Sequence, residues 1–402
     1  MLRSFRVANH RSIRDEQELL LMPAYDKELP AVPVAAVFGA NASGKSNLLD
    51  ALRWMQTAVR ESFRVWEADS GIPRVRYRLD DDESRPSAFV ADLVLDGVQW
   101  VYGFSVTSEA VQEEWLHTYP HGRERVIFER NGQELELGST VPERRSRAEL
   151  LRGLMRENAL LLSAASQANQ AEVKPVYRWF NLHQLHVIRM GIPSVRREHL
   201  ALLITDAVKE YPEFVDLLRT ADFGITEISV EEPVFAGRRV PIVRFRHEPG
   251  GVWLELADQS EGTLSWAELL VYALEALANG SLMVLDEIDA SLHPLLTARL
   301  VELFRHRETN AHGAQLLFTT HDATLLGTSS GEDLLRRDEI WFAEKRDGAS
   351  SLYPLSDFHP RKGENRERRY LLGSYGAVPA IFEDSVVDSL LAARREHSDA
   401  PA

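Results

Sequence analysis

Gly39-Ala40-Asn41-Ala42-Ser43-Gly44-Lys45-Ser46 follows the apolar run Val32 to Phe38 and opens a stretch in which Leu48, Leu52, Met55 and Val59 recur at helical spacing. Strand, glycine loop and helix are the three parts that a G-x-x-x-x-G-K-S phosphate loop needs around it. The two glycines let the backbone wrap until successive amide N–H groups point at phosphate oxygens, and the following helix turns its positive dipole end toward the same anions. On this reading the loop from Gly39 to Asn47 cradles the phosphates, Lys45 reaches the β- and γ-phosphates, and the Ser46 hydroxyl holds Mg2+. The chain is expected to bind ATP with Mg2+.

A chain of 402 residues and 45.5 kDa can bury a large core, and its length alone suggests two or three domains. It has no apolar run of about 18 residues, and Arg3, Asn9 and Arg11 interrupt the N-terminus before a signal-peptide core could form. A cytoplasmic location without a membrane partner is expected. The absence of cysteine excludes disulfides, thiol nucleophiles and thiolate metal sites. A formal net charge of −15 argues against broad attraction to DNA or membranes. The stretches Arg144 to Arg156 and Arg361 to Arg369 could still serve a DNA phosphate track, although Glu143, Glu149, Glu364 and Glu367 are interspersed in the manner of solvated helical charge.

The second half of the chain decides which kind of ATPase the loop belongs to. Ser281-Leu282-Met283-Val284-Leu285 is a buried-strand pattern ending in Asp286-Glu287, so two carboxylates arrive at one strand end. Asp286 is expected to bind Mg2+ and Glu287 to orient and polarise the attacking water. Further on, after the apolar strand Gln315 to Thr319, His321 is placed to sense or stabilise the γ-phosphate. Upstream, Ser260-Glu261-Gly262-Thr263 leads into an apolar helix, Leu264 to Ala278, closed by the C-cap signal Asn279-Gly280. A Ser-x-Gly opening a helix is a second cluster of amides able to bind an anion; alone, it is also an ordinary N-cap.

The order and spacing of these motifs resemble the ATP-binding-cassette ATPases. The resemblance implies that Ser260 and Gly262 of one subunit cap the γ-phosphate on the phosphate loop of another, giving a head-to-tail homodimer or higher homo-oligomer. It also implies that Gln167 links Mg2+ to rotation of the lobes. The opening Leu2 to Ile13, with Asn9-His10-Arg11-Ser12, is similar to the first strand and turn of RecF- and SMC-type heads, which makes Arg11 a candidate α- or γ-phosphate contact. No long heptad segment separates the lobes, so no coiled-coil arm is expected.

More narrowly, the chain resembles the bacterial RloA-like AAA-family ATPases found among restriction and phage-defence genes. The carrying segments include Tyr102-Gly103-Phe104, Glu114-Trp115-Leu116, Lys174-Pro175-Val176-Tyr177, Asp289-Ala290-Ser291-Leu292-His293-Pro294, Asp338 to Phe342, Leu355 to Phe358 and Gly373 to Pro379. In two places the chain departs from relatives. His293 stands where transport and SMC ATPases carry an Asp, and Ser265 where a basic residue is common.

The expected fold is therefore an α/β, ABC-type P-loop NTPase head with an antiparallel β lobe and an inserted helical subdomain. Residues 1–150 are read as the first ATPase lobe, with Phe89 to Leu95 and Val98 to Val106 joined by the hairpin signal Asp96-Gly97. Residues 151–225 are read as helical, 226–345 as the second lobe, and 346–402 as a C-terminal extension frayed from Arg394. Beyond His321 no D-x-D appears such as a TOPRIM nuclease would need. The resemblance implies an ATPase subunit of an anti-phage defence system, gating a separately encoded effector such as a nuclease. A DNA-clamping RecF- or SMC-like repair ATPase and an ATP-dependent assembly scaffold are the alternatives.

Overall fold

The computed structural model describes residues 1–181, 185–189, 196–221, 224–235, 237–290, 292–329, 332–361 and 363–378; Ser291, Pro379 and the stretch from Arg394 lie outside them. In chain order, β1 (Leu2–Ala8) and β2 (Gln17–Leu20) precede β3 (Val34–Phe38), the strand under the glycine loop, and α1 (Lys45–Glu61). There follow β4 (Ser87–Leu95), β5 (Val98–Val106), β6 (Val111–Tyr119), β7 (Arg125–Asn131) and β8 (Glu134–Leu137). These strands, with β1 and β2 but without β3, form one antiparallel sheet in the order β2-β1-β4-β5-β6-β7-β8. The turn between β4 and β5 places Asp96 at φ 50° and Gly97 at φ 75°, the left-handed pair that a two-residue hairpin requires.

The middle of the chain supplies α2 (Arg144–Leu154), α3 (Leu161–Gln167), α4 (Lys174–Trp179), β9 (Leu185–Arg189), α5 (Arg196–Glu210) and α6 (Phe214–Arg219). A small antiparallel region comes next: β10 (Ile225–Glu231), the short pair β11 (Val234–Phe235) and β12 (Arg238–Arg239), then β13 (Ile242–His247) and β14 (Val252–Glu255). The last part holds α7 (Glu261–Asn279), β15 (Leu282–Asp286), α8 (Pro294–Arg305), β16 (Gln315–Thr320), β17 (Thr328–Ser329), β18 (Glu332–Asp333), β19 (Ile340–Arg346), β20 (Ala349–Pro354) and α9 (Arg366–Leu371).

A second sheet, ordered β20-β19-β3-β16-β15-β9, is parallel from β19 to β9 and carries β20 as an antiparallel edge. Its central strands β3, β15 and β16 are buried at every position and read as mostly apolar runs. Val34, Ala36 and Phe38 enter a core shared with α7 and α8, whereas Ala35 and Val37 enter the core that α1 shares with the antiparallel sheet. The phosphate-loop strand thus joins two hydrophobic cores, and Phe38 at its C-terminal end lies beside Thr320 of β16 and Phe342 of β19.

One segment differs from its sequence reading. Within the stretch read as helical, Leu185–Arg189 is a strand, paired in parallel with β15 from Leu282↔Leu185 to Asp286↔Arg189. The exposed ladder of β15 offers backbone partners, and the β-branched Val187-Ile188 suits them, so tertiary pairing outweighs local reading. The architecture is a mixed α/β one, a mostly parallel sheet under the glycine loop joined to an antiparallel β lobe. Among the described residues no helix exceeds the 19 residues of α7, so they include no coiled-coil arm.

Candidate nucleotide site

The glycine loop is shaped by contacts from distant parts of the chain. Gly44 caps α1 at φ 105°, and a Cβ there would lie 2.1 Å from Ser350 Oγ. At Gly39 a Cβ would sit 2.4 Å from the Ala343 carbonyl oxygen. Both glycines are therefore dictated by the β19–β20 hairpin pressing on the loop, and Gly44 also by its backbone angle. Ser350 Oγ donates to the Ser43 carbonyl at 2.8 Å, and Asn47 Nδ2 donates to Ser12 Oγ at 2.6 Å. Ser12 and Ser350 hydroxyls meet at 2.7 Å, and the Ser350 amide donates to the Ser12 carbonyl at 2.8 Å. Sequence reading missed both serines, since no local pattern announces a contact between residues so far apart.

Lys45 is buried, and its Nζ donates to the carbonyls of Gly39 at 2.7 Å and Ala40 at 3.0 Å. Burial pushes its ammonium pKa down, against the opposing pull of the Glu287, Asp289 and Asp286 carboxylates. Inside the loop the Ser43 hydroxyl is buried without a hydrogen-bond partner. An orphaned donor beside a buried ammonium and a helix N-terminus is the chemistry of a phosphate cradle, and the residues present fit one.

The acidic strand ends beside the loop. Ser46 Oγ donates to Asp286 Oδ1 at 3.0 Å, joining the loop to the end of β15. Thr319 Oγ1, on β16 between them, donates to the same carboxylate oxygen at 2.8 Å and accepts from the Glu287 amide at 2.8 Å. One hydroxyl therefore fixes the carboxylate of Asp286 and the backbone that carries Glu287. Glu287 is exposed and adopts φ 56°, a left-handed conformation that costs a non-glycine residue on the order of 1 kcal/mol and is found where surrounding structure enforces it. Ser46 and Asp286 together form a small oxygen donor set that suits Mg2+, which retains several waters and takes few protein ligands. Thr319 belongs to the strand noted from the sequence, but its bridging role was not legible there.

His321 follows β16 and is exposed, with its ring Nδ1 2.8 Å from Asp289 Oδ2. Arg11 forms a two-pronged pair with Asp50 of α1, Nη2 to Oδ1 at 3.1 Å and Nε to Oδ2, while His10 Nε2 lies 2.9 Å from that second oxygen. Asp50 thus holds Arg11 on the helix that starts at the loop. Gln167, at the end of α3, donates to Tyr177 Oη at 3.3 Å and Ser166 Oγ at 3.4 Å. Ser260 is the N-cap of α7 and accepts from the Thr263 amide at 3.2 Å, with Gly262 in the first turn. His293 plays the same part for α8, its Nδ1 accepting from the Leu295 amide at 3.3 Å.

Part of each basic stretch is used within the fold. Arg156 donates to the carbonyls of Ser62 and Phe63 and lies over the Phe63 ring, Arg152 donates to the Leu135 carbonyl, and Arg147 pairs with Glu172. Arg366 pairs with Asp333 and Arg369 with Glu364.

A glycine loop, an acidic strand end and a polar strand between them, on a mostly parallel sheet, define a P-loop nucleotide-binding head. The sequence of residues 34–327 matches the family described as "AAA domain, putative AbiEii toxin, Type IV TA system", and the chain belongs to that family. No curated protein matches it. Among solved structures it is similar to the SMC head domain with an extended coiled coil, bound to the C-terminal domain of ScpA, from Pyrococcus furiosus, at 12% identity over 89% of this chain and 97% of that one with a TM-score of 0.42. It is also similar to the SMC head with a coiled coil and joint from Pyrococcus yayanosii, at 12% identity over 89% and 99%, with a TM-score of 0.45. No helix among the described residues is long and apolar enough to cross a membrane.

Proposed function

We propose that this chain hydrolyses ATP with Mg2+ and uses the cycle to close and open a head-to-tail homodimer, gating a separately encoded effector in an anti-phage defence system of the RloA-like kind. The observation that carries the reading is the continuous link Ser46–Asp286–Thr319–Glu287, which ties phosphate loop, metal ligand and general base into one unit. Mg2+ supplies charge neutralisation at the phosphates, with Ser46 and Asp286 to hold it. Lys45 exchanges its contacts with the loop carbonyls for phosphate oxygens, and the loop amides bind the rest of the anion. Glu287 accepts a proton from the attacking water, and His321 stands at the neighbouring strand end to contact the transferred group. Ser260 and Gly262 offer helix N-terminal amides to the phosphate held by a second copy. Arg11 and Gln167 are assigned to the phosphate contact and to the coupling of lobes, respectively.

The family description links its members to toxin and antitoxin systems, which supports a defence role with a protein effector. The internal contacts of Arg147, Arg152, Arg156, Arg366 and Arg369 take part of each basic stretch out of a DNA track and favour that reading. Replacement of Glu287 by Gln tests the catalytic assignment: ATP binding should be retained while kcat falls on the order of 100-fold or more. Wild-type turnover in Glu287→Gln would remove Glu287 as the base. Lys45→Ala should instead weaken nucleotide binding, measured by equilibrium titration with a fluorescent ATP analogue.

A further inference from the structure

Arg11 stands at the tip of a tight turn. The His10 and Ile13 amides donate to each other's carbonyl at 2.9 and 2.8 Å, and the Arg11 amide donates to the Val75 carbonyl at 2.9 Å. The Arg11 backbone is left-handed, at φ 51°, a conformation that a non-glycine residue keeps only where its surroundings enforce it. The side chain is held as well: Asp50 Oδ1 accepts from Nη2 at 3.1 Å, and Oδ2 accepts from Nε. Asp50 is itself anchored, since its Oδ2 also shares a hydrogen bond with Nε2 of the fully buried His10 at 2.9 Å. Burial would push the Asp50 carboxyl up, but the hydrogen bonds with His10 and Arg11 hold it below the usual carboxylate range, so it stays ionised.

Asp50 takes Nε and one side of Nη2, which leaves Nη1 and the rest of Nη2 to donate elsewhere. Among the described residues they meet no acceptor. The Arg11 side chain is 42% exposed and, with Ser12 and Asn47, lines a cavity of about 380 Å3 beside the glycine loop. Arg76, Arg78 and Lys345 also line this cavity and no carboxylate does, in a chain whose net charge is −15. A cationic wall next to the start of α1 suits an anion. We infer that Asp50 is a positioning residue that turns the Arg11 guanidinium toward the α-phosphate of the nucleotide on the loop. Ser46 faces Asp286, whereas Asn47, the next residue of α1, faces Ser12, so the two contacts lie about 100° apart round the helix. The metal and the β- and γ-phosphates belong to the Ser46 side. Arg11 lies on the Ser12 side, toward the nucleoside end of the phosphate chain.

This role rests on the proposed ATPase reading, and the two fail separately. In equilibrium titrations of the full chain with fluorescent ATP and ADP analogues, Arg11→Ala and Asp50→Ala should each weaken binding by about 10-fold. ATP and ADP should lose the same factor, because both carry the α-phosphate. Asp50→Ala should add no further loss in an Arg11→Ala background. Nitrogen-15 NMR of arginine-labelled protein, with the Arg11 Nε signal assigned by its loss in Arg11→Lys, should show that N–H protected from exchange with water. The protection should vanish in Asp50→Ala. Where Asp50→Ala does not fold, Asp50→Asn keeps the side-chain volume while weakening the hold on the guanidinium, and the same comparisons apply. Unchanged or tighter binding in the Asp50 variant, or a full additional loss in the double variant, would overturn the inference. A loss confined to ATP would move the contact to the γ-phosphate and overturn the α-phosphate assignment. Unaltered protein that binds no ATP would refute the ATPase reading and this role with it, whereas normal binding that the Asp50 variant leaves unchanged refutes the role alone.

Discussion

Removing one hydroxyl from β16 should disconnect two carboxylates. In Thr319→Val the Asp286 Oδ1 loses a donor and the Glu287 amide loses its acceptor, in a part of the fold where Thr319 is fully buried. The lost pairing is expected to destabilise the protein by about 1–3 kcal/mol. Its larger effect should fall on catalysis, because Glu287 holds φ 56° partly through that amide contact and a displaced base loses on the order of 100-fold in rate. Nucleotide binding, which depends on Lys45 and the loop amides, should change little. Parallel measurement of kcat and of ATP affinity separates the two effects, and an unaltered kcat would show that Glu287 does not need the threonine. At this scale the sequence was most informative where chemistry is local. The loop from Gly39 to Ser46 and the Asp286-Glu287 pair are readable because contiguous residues do the work. Thr319, Ser12 and Ser350 were not, because each owes its role to a residue brought near by the fold.

A single glutamate decides whether α3 has a properly closed end. Glu114, fully buried on β6, accepts from the amides of Leu161 at 2.5 Å and Leu162 at 2.8 Å, from Tyr102 Oη at 3.0 Å, and lies 3.6 Å from Arg130 Nη1. It satisfies amides at the start of a helix that has no side-chain cap of its own, and it neutralises a buried guanidinium. Glu114→Ala should cost about 3–5 kcal/mol, mostly by leaving Arg130 as an uncompensated buried charge, and the loss would appear in the denaturant midpoint. A change within error would show that Arg130 is satisfied by its contacts with the carbonyls of Gly132, Ala159 and Arg156 alone. Glu114-Trp115-Leu116 was legible as a family-like segment, yet its task was not, since a Glu in an alternating strand reads as solvent-facing. The same limitation explains β9. Its five residues lie among helices in the sequence, and only the open edge of β15 makes them a strand. The β4–β5 hairpin and α7 were readable, by contrast, because Asp96-Gly97, Ser260 and Asn279-Gly280 mark their own boundaries.

Across the whole molecule, the nucleotide loop and the Ser260–Gly262 helix start belong to different layers. The loop opens α1, whose apolar side faces the antiparallel lobe, whereas α7 packs in the other core with α5, α6 and α8. A helix start lying apart from the loop can contribute to a nucleotide site on a second copy, and Gly262→Arg tests this directly. The substitution places a long side chain in the first turn of α7 and should leave ATP binding by the single subunit unchanged. Hydrolysis and nucleotide-dependent dimerisation, followed by light scattering, should be lost. Mixing Gly262→Arg with Lys45→Ala protein supplies the decisive comparison, because a head-to-tail dimer of the two puts both defects into one composite site. The second site then has an intact loop from one subunit and an intact helix start from the other. Partial ATPase activity should return in the mixture, up to about half the wild-type rate per dimer if each site turns over independently. Loss of ATP binding by the Gly262→Arg subunit alone would place the helix start in its own subunit's site, and the sandwiched dimer would then be the wrong description.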